Sequence, residues 1–256
     1  MQKGGSEMGD YQGVFERYEK KYLLTPGQYR ALRQEMEGRT EPDQYGRSTV
    51  CSVYFDTPSY RLIRRSLEKP GYKEKLRLRS YGEVRGDDPV FAELKKKYGG
   101  IVYKRRVQMT LDEAEAYLYR GQPAGNPSQI TREIDWFCHF YGEVAPRMLI
   151  TCERVALCGV RDEGLRVTFD RDIRWREEAL SLREGVWGDP LLRPGERLME
   201  IKAPGALPLW LADALSGQGV FPISFSKYGS AYCQKMGGSA PADDRHLKEK
   251  GASICA

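Results

Sequence analysis

The sequence predicts an α+β domain, with about eight strands and helices packed outside the sheet. Three observations carry that reading. Segments with strand alternation mix with segments of helical spacing, without a βαβ rhythm. No linker divides the run from 13 to 236, which reads as one domain. Several strands carry their charges on one face only. The Gly-, Ser- and charge-rich stretches 1–12 and 237–256 are expected to be flexible tails.

In chain order, "VFERYEKKYLL" (14–24) reads as a strand. "TPGQYRALRQEME" starts on Thr25 as N-cap and Pro26 at the first helical position, giving a helix to about Met36. "STVCSVYFD" (48–56) is β-branched and aromatic, a second strand. "TPSYRLIRRSLE" repeats the Thr-Pro start and reads as a short helix. "KEKLRLRSYG" (73–82), "PVFAELKKKY" (89–98) and "GIVYKRRVQMT" (100–110) are strands, the last two joined by a tight turn at Gly99-Gly100. "LDEAEAYLYRG" is a helix closed by Gly121. "SQITREIDWFCHFYG" (128–142) is another, with Ile130, Ile134, Phe137 and Tyr141 at apolar spacing and Trp136, Phe137 and Tyr141 expected in the core. Strands follow at 147–160, 165–176 and 197–204, and "LPLWLADALSG" and "ISFSKYGSAYCQKM" close the domain as helices.

Composition narrows the functional classes. The chain has 256 residues, 40% hydrophobic and 30% charged, and 41 Lys and Arg against 36 Asp and Glu leave a net charge of +5. That excess does not suggest nucleic-acid binding, and exposed aromatics are not interleaved with a basic outer face. "MQKGGSEMGD" has no apolar h-region, and the longest apolar stretch (206–215) contains Asp213, so no membrane span and a cytoplasmic location are expected. Six cysteines without a CxxC pair read as reduced thiols, with Cys138 and Cys158 needing no function. Two histidines and no HExxH argue against the usual zinc sites, and there is no P-loop or GxSxG elbow.

The charged faces are the informative feature. Read as a strand, 73–82 puts Lys73, Lys75, Arg77 and Arg79 on one face and Glu74, Leu76, Leu78 and Ser80 on the other. Neighbours on a face lie about 7 Å apart, so each like pair costs about 2 kcal/mol at an effective dielectric of 20. The pattern recurs in Arg17/Glu19/Lys21, Glu93/Lys95/Lys97, Lys104/Arg106, Cys152/Arg154/Ala156, Arg166/Thr168/Asp170 and Glu200/Lys202. One explanation is a solvated sheet face. The other is a barrel with an apolar exterior under helices and a charged interior that holds a polyanion. Arginine forks suit phosphate oxygens, and carboxylates in the same lumen would hold a divalent cation.

"YEKKYLL", "KLRLRSYG", "AELKKK", "LMEIK" and "SFSKY" occur in that order. Together they resemble the polyphosphate polymerase (VTC) domain of the vacuolar transporter chaperone family, within the triphosphate tunnel metalloenzymes. The resemblance covers about 13–236. It implies a closed antiparallel β-barrel forming a basic tunnel. It also implies a phosphotransferase that adds the γ-phosphate of ATP to a growing polyphosphate chain, with Mn²⁺ or Mg²⁺. ATP and polyphosphate or triphosphate are then the partners. Carried over by motif, Arg77, Arg79, Lys95, Arg154 and Arg166 are the catalytic cations. Lys21, Lys75, Lys104, Lys202, Ser226 and Lys227 bind substrate, and Glu200 and Glu19 hold the metal.

Each assignment has a plainer alternative. Glu200 can pair with Lys202 or an inward arginine, and Glu19 with Lys21. Lys104 can be solvated, and Ser226 can be the N-cap of the helix that begins near Lys227. The sequence also departs from the pattern. Arg17 replaces the first glutamate of the ExExK that opens the superfamily's triphosphatases, which favours the polymerase branch. Cys152 stands where a tyrosine is expected. Eukaryotic relatives carry a regulatory domain and membrane helices, for which 256 residues leave no room. Other readings are a tunnel triphosphatase and a non-catalytic polyphosphate- or nucleotide-binding module; retention of Glu200 argues against the latter.

Overall fold

The computed structural model describes residues 17–99 and 101–238, apart from the side chains of Arg17 and Tyr18. The expected tails, 1–12 and 237–256, lie outside the described residues apart from Gly237 and Gly238, as does Gly100 of the expected turn. The elements run β1 (Arg17–Leu24), α1 (Pro26–Glu35), β2 (Thr40–Asp56), α2 (Arg61–Leu67), β3 (Tyr72–Tyr81), β4 (Pro89–Tyr98), β5 (Ile101–Thr110), α3 (Leu111–Leu118), α4 (Gln129–Tyr141), β6 (Ala145–Gly159), β7 (Arg166–Arg176), β8 (Asp189–Pro190), β9 (Arg197–Pro204), α5 (Leu209–Gly217) and α6 (Lys227–Lys235). A 3₁₀ turn at Leu182–Glu184 precedes β8.

The α+β class is as expected. All nine strands join one antiparallel sheet in the order β1-β9-β7-β6-β2-β3-β4-β5, with the short β8 added on β7. Helix starts follow local chemistry. Thr25, Thr110 and Ser128 each form a capping box, accepting from the N3 amide while the N3 side chain returns to the cap. The second Thr-Pro start is a correction. Helix α2 begins at Arg61, because the buried Asp56 carboxylate accepts from the Leu62 and Ile63 amides at 2.9 and 3.0 Å. Thr57 Oγ1 takes the Arg61 amide instead of capping at its own position. Strand β2 also starts eight residues early, because Thr40–Pro42 pair with Leu157–Gly159 before the ladder shifts between Pro42 and Arg47.

The outer face of the sheet carries two apolar layers. Cys51, Val53, Phe55, Leu76, Leu78, Ala92 and Leu94 pack under α3 and α4. Tyr22, Leu24, Val167, Phe169, Met199 and Ile201 pack under α1 and α5. Trp136 corrects its core assignment: it is 54% exposed and stacks on Phe140 at 5.0 Å, while its neighbour Phe137 is fully buried. One residue is about 100° around a helix, so adjacent aromatics cannot share the core face.

The inner face is divided. Val50, Tyr54, Met148, Ile150, Cys152, Ile173, Trp175 and Leu198 turn inward and pack with Phe225, Tyr228 and Ala231 of α6 and its lead-in. The charged rows take the remainder, so the interior is not charged throughout, as the barrel reading had it. No ladder among the described residues joins β1 to β5, so the sheet is not closed by hydrogen bonds. The segment before α6 links β1 to β3 across the inner face. Ile223 bridges β1 by donating its amide to Lys21 O at 2.7 Å. Lys21 Nζ donates to Phe225 O at 3.2 Å, and Lys75 Nζ of β3 to Ser226 Oγ at 3.0 Å. No helix among the described residues is long and apolar enough to cross a membrane.

Candidate functional site

Strand alternation sends Glu74, Leu76, Leu78 and Ser80 into the outer core and leaves Lys73, Lys75, Arg77 and Arg79 on the inner face. Register then assembles the site. Arg77 lies between Tyr54 of β2 and Glu93 of β4, and Arg79 between Ser52 and Phe91. Lys75 faces Lys95, which faces Lys104 of β5.

Three carboxylates organise these cations. Glu93, 1% exposed, accepts from Arg77 Nε at 2.7 Å, Arg106 Nε at 2.6 Å and Lys104 Nζ at 3.0 Å. Burial alone would raise its pKa, but Arg77, Arg79 and Lys104 hold it well below the carboxylate range. Asp170, equally buried, takes Arg154 in a bidentate fork at 2.6 and 2.8 Å and also Lys227 Nζ. Its pKa is likewise low, burial being overcome by Lys227 and Arg154. Glu200 accepts from Lys202 at 2.7 Å and lies 3.7 Å from Lys21, whose Nζ is 3.9 Å from Glu19. Against burial, Lys202 and Lys21 bring the Glu200 pKa down to about 2.

Other cations have no such neighbour. Among the described residues no carboxylate lies within ion-pair distance of Lys73, Lys75, Arg79 or Lys95. Arg79 donates to Ser52 Oγ at 3.1 Å. Burial, with Lys73, Lys21 and Lys95 nearby, lowers the Lys75 pKa to about 8. Burial also lowers that of Lys95, while Glu19 and Glu200 raise it across the interior. Lys21 of β1 and Lys75 of β3 both donate to the lead-in of α6, so the sheet curls around this cluster.

The structure therefore places Lys21, Lys75, Arg77, Arg79, Lys95, Lys104, Arg154, Glu200, Lys202, Ser226 and Lys227 around one inner surface, with Glu19 at its β1 edge. Arg166 shares the face of Asp170 but is exposed, opposite Lys202 and four residues from the Asp170 fork, about 13 Å along the strand. Ser226 serves as N-cap, accepting from Gly229 N at 3.2 Å, and also accepts from Lys75. Glu200 does pair with Lys202. Sequence reasoning missed Tyr54, whose hydroxyl accepts from Arg77 Nη1 at 3.3 Å and whose ring stacks on Tyr228 at 4.6 Å. Burial would raise its pKa, but Arg77, Arg79 and Lys75 bring it to about 8. It also gave Glu93, Asp170 and Arg106 no role, although each lay in a charged row.

Among the described residues no three acidic, histidine or cysteine side chains group as a metal site. Glu19 and Glu200 nonetheless lie diagonally on neighbouring strands. Thr168, opposite Glu200, has a buried Oγ1 without a hydrogen-bond partner. Two carboxylates and an orphaned hydroxyl are hard oxygen donors of the kind a divalent cation takes.

A curled antiparallel sheet, clad by helices outside and lined with arginine and lysine inside, defines a helix-wrapped sheet protein with a cationic interior. Its family follows from the sequence as a whole: the VTC domain model matches residues 16–235, and the chain belongs to the VTC domain family. Among solved structures, a provisionally named adenylate cyclase from Bacillus halodurans shares the fold with TM-score 0.52 at 11% identity, over 81% of this chain and 92% of that one. Another from Vibrio parahaemolyticus gives 0.45 at 12%, over 86% and 99%. The Mimivirus capping enzyme triphosphatase gives 0.36 at 9%, over 81% and 90%. No curated protein matches the chain.

Proposed function

We propose that the chain is a metal-dependent polyphosphate polymerase that moves the γ-phosphate of ATP onto a phosphate chain within the curled sheet, which works as a closed tunnel. The observation that carries this reading is the set of inner cations, Lys73, Lys75, Arg79 and Lys95, that have no carboxylate within ion-pair distance among the described residues. Such a cluster opposes folding unless an anion relieves it. Membership of the VTC domain family supports the same substrate class.

Phosphoryl transfer needs positioning and charge neutralisation more than proton chemistry. The terminal phosphate of the chain is already an anionic nucleophile. Its oxygen attacks the γ-phosphorus, a new P–O–P bond forms, the bond to the β,γ-bridging oxygen breaks, and ADP leaves with the electron pair. Arg77 and Arg79 bind the transferring group, Arg77 being held in orientation by Glu93 and Tyr54. Lys75 and Lys95 neutralise the incoming chain, and Arg154 and Lys227, fixed on Asp170, extend the cationic surface. Arg166 and Lys202 meet phosphate further out. Glu19 and Glu200 would hold a Mn²⁺ or Mg²⁺, which when bound neutralises triphosphate charge.

Purified protein incubated with γ-labelled ATP and Mn²⁺ or Mg²⁺, its products separated by size, tests the reading. A ladder of long phosphate polymer is expected. Release of single phosphates alone replaces the polymerase with a triphosphatase, and no turnover with retained triphosphate binding leaves a binding module.

A further inference from the structure

The inner row of β3 does not end on a charge. Beyond Lys73, Lys75, Arg77 and Arg79 the next inward position is Tyr81, one step of about 7 Å past Arg79. Its hydroxyl accepts from Arg106 Nη2 at 2.8 Å. Its ring meets Phe91, itself opposite Arg79, at 5.8 Å edge to face. The Arg106 guanidinium lies 4.4 Å over Phe91, so the mouth of the row is braced from β5.

A second ring covers this mouth from β2. The β2–β6 ladder breaks between Pro42 and Arg47. There Asp43 Oδ1 accepts from the Tyr45 and Gly46 amides at 2.8 and 3.0 Å, and Gly46 takes φ 49°. The bulge lifts Tyr45 over Tyr81, with centroids 6.2 Å apart and planes 12° from parallel. Both rings remain exposed, at 60% and 40%. Phe91 and Arg106 hold Tyr81, whereas Tyr45 has no ring contact other than Tyr81 and no side-chain hydrogen bond among the described residues.

We propose that Tyr45 and Tyr81 form a stacking platform for the base of a nucleoside triphosphate whose phosphates lie along Arg79 and Arg77. The proposal rests on the reading of the inner face as a phosphate site and extends it to the donor nucleotide. The base adds to the existing stack through its π-face, which every nucleobase offers. The platform then favours a nucleotide over an inorganic triphosphate.

The test is equilibrium binding of ATP and of inorganic tripolyphosphate to the full chain without divalent metal, in the parent, Tyr45→Ala, Tyr81→Ala and Tyr81→Phe. Each alanine variant should weaken ATP about tenfold and tripolyphosphate less than about twofold. Tyr81→Phe keeps the ring and should hold ATP within about twofold of the parent. Tyr45 makes no side-chain hydrogen bond among the described residues, so its variant reports stacking without loss of a partner. If the parent binds tripolyphosphate but Tyr45→Ala weakens neither ligand, or both equally, the platform is wrong and the phosphate site stands. If the parent binds neither ligand, both readings fall.

Discussion

Glu93 is the residue on which the cationic row depends. It is buried and accepts from Arg77, Arg106 and Lys104, so Glu93→Gln removes the charge that holds three cations together. Taking one partner from a buried charge cluster costs about 3–5 kcal/mol, and urea denaturation should show a loss of that order. Tripolyphosphate should raise the melting temperature of this variant more than that of the parent, because the ligand returns the missing charge. Acid acts on the same groups. Glu93, Asp170 and Glu200 all have folded pKa values below the ordinary range, so their stabilisation is complete near neutrality and lost as pH falls through those values. The urea midpoint should be flat from about pH 7 to 5 and fall below about pH 4. At the basic end, Lys75 and Tyr54 both titrate near pH 8. A bound polyanion favours protonated Lys75 and neutral Tyr54, so both pKa values rise on binding. Binding of tripolyphosphate should therefore be accompanied by proton uptake at these two groups and weaken as pH rises through about 8. Titration calorimetry in buffers of different ionisation enthalpy measures both, and an affinity that is level across pH 7 to 9.5 would remove these two groups from the site.

At the scale of elements, Asp56 joins three of them. At the end of β2 it caps α2 through two amides and accepts from Tyr228 Oη of α6 at 2.9 Å. Asp56→Ala leaves the two amides and the hydroxyl without that acceptor, and bonds to charged groups contribute about 1.5–3 kcal/mol each. A loss of at least about 3 kcal/mol in urea is expected, together with weaker tripolyphosphate binding, since α6 carries Lys227 and is capped by Ser226. A variant as stable as the parent would show that α6 is held otherwise. Most of this architecture was legible in the residues. The alternation in 73–82 and 165–170 marked which face is apolar, because a one-residue period error would bury charge. The Thr-Pro start of α2 misled because the cap comes from Asp56, one residue upstream, folding over the helix end. Tyr54 escaped notice because it sits in the charge-free run 48–55, where period alone does not mark the inner face. The pairing of Glu93 with Arg77 and Arg106 is a matter of register between strands, which no single strand displays.

Over the whole molecule, β1 and β5 end the sheet without pairing to each other among the described residues, and the lead-in to α6 bridges β1 and ties it to β3 across the inner face. The curl concentrates cations inside while the helices keep the outer face dry. Glu200→Gln should keep this shape and its tripolyphosphate binding but lose metal-dependent turnover, since it removes a charge suited to a hard cation. Unchanged turnover would make Glu200 an ion-pair partner of Lys202 only. That the inner cations form a phosphate site is tested by the melting temperature of the full chain with and without millimolar tripolyphosphate, in the parent and in Arg77→Ala. A clear rise is expected in the parent and a much smaller one in Arg77→Ala, which lacks a guanidinium on the inner row. No rise in the parent, or an equal rise in both, would contradict it.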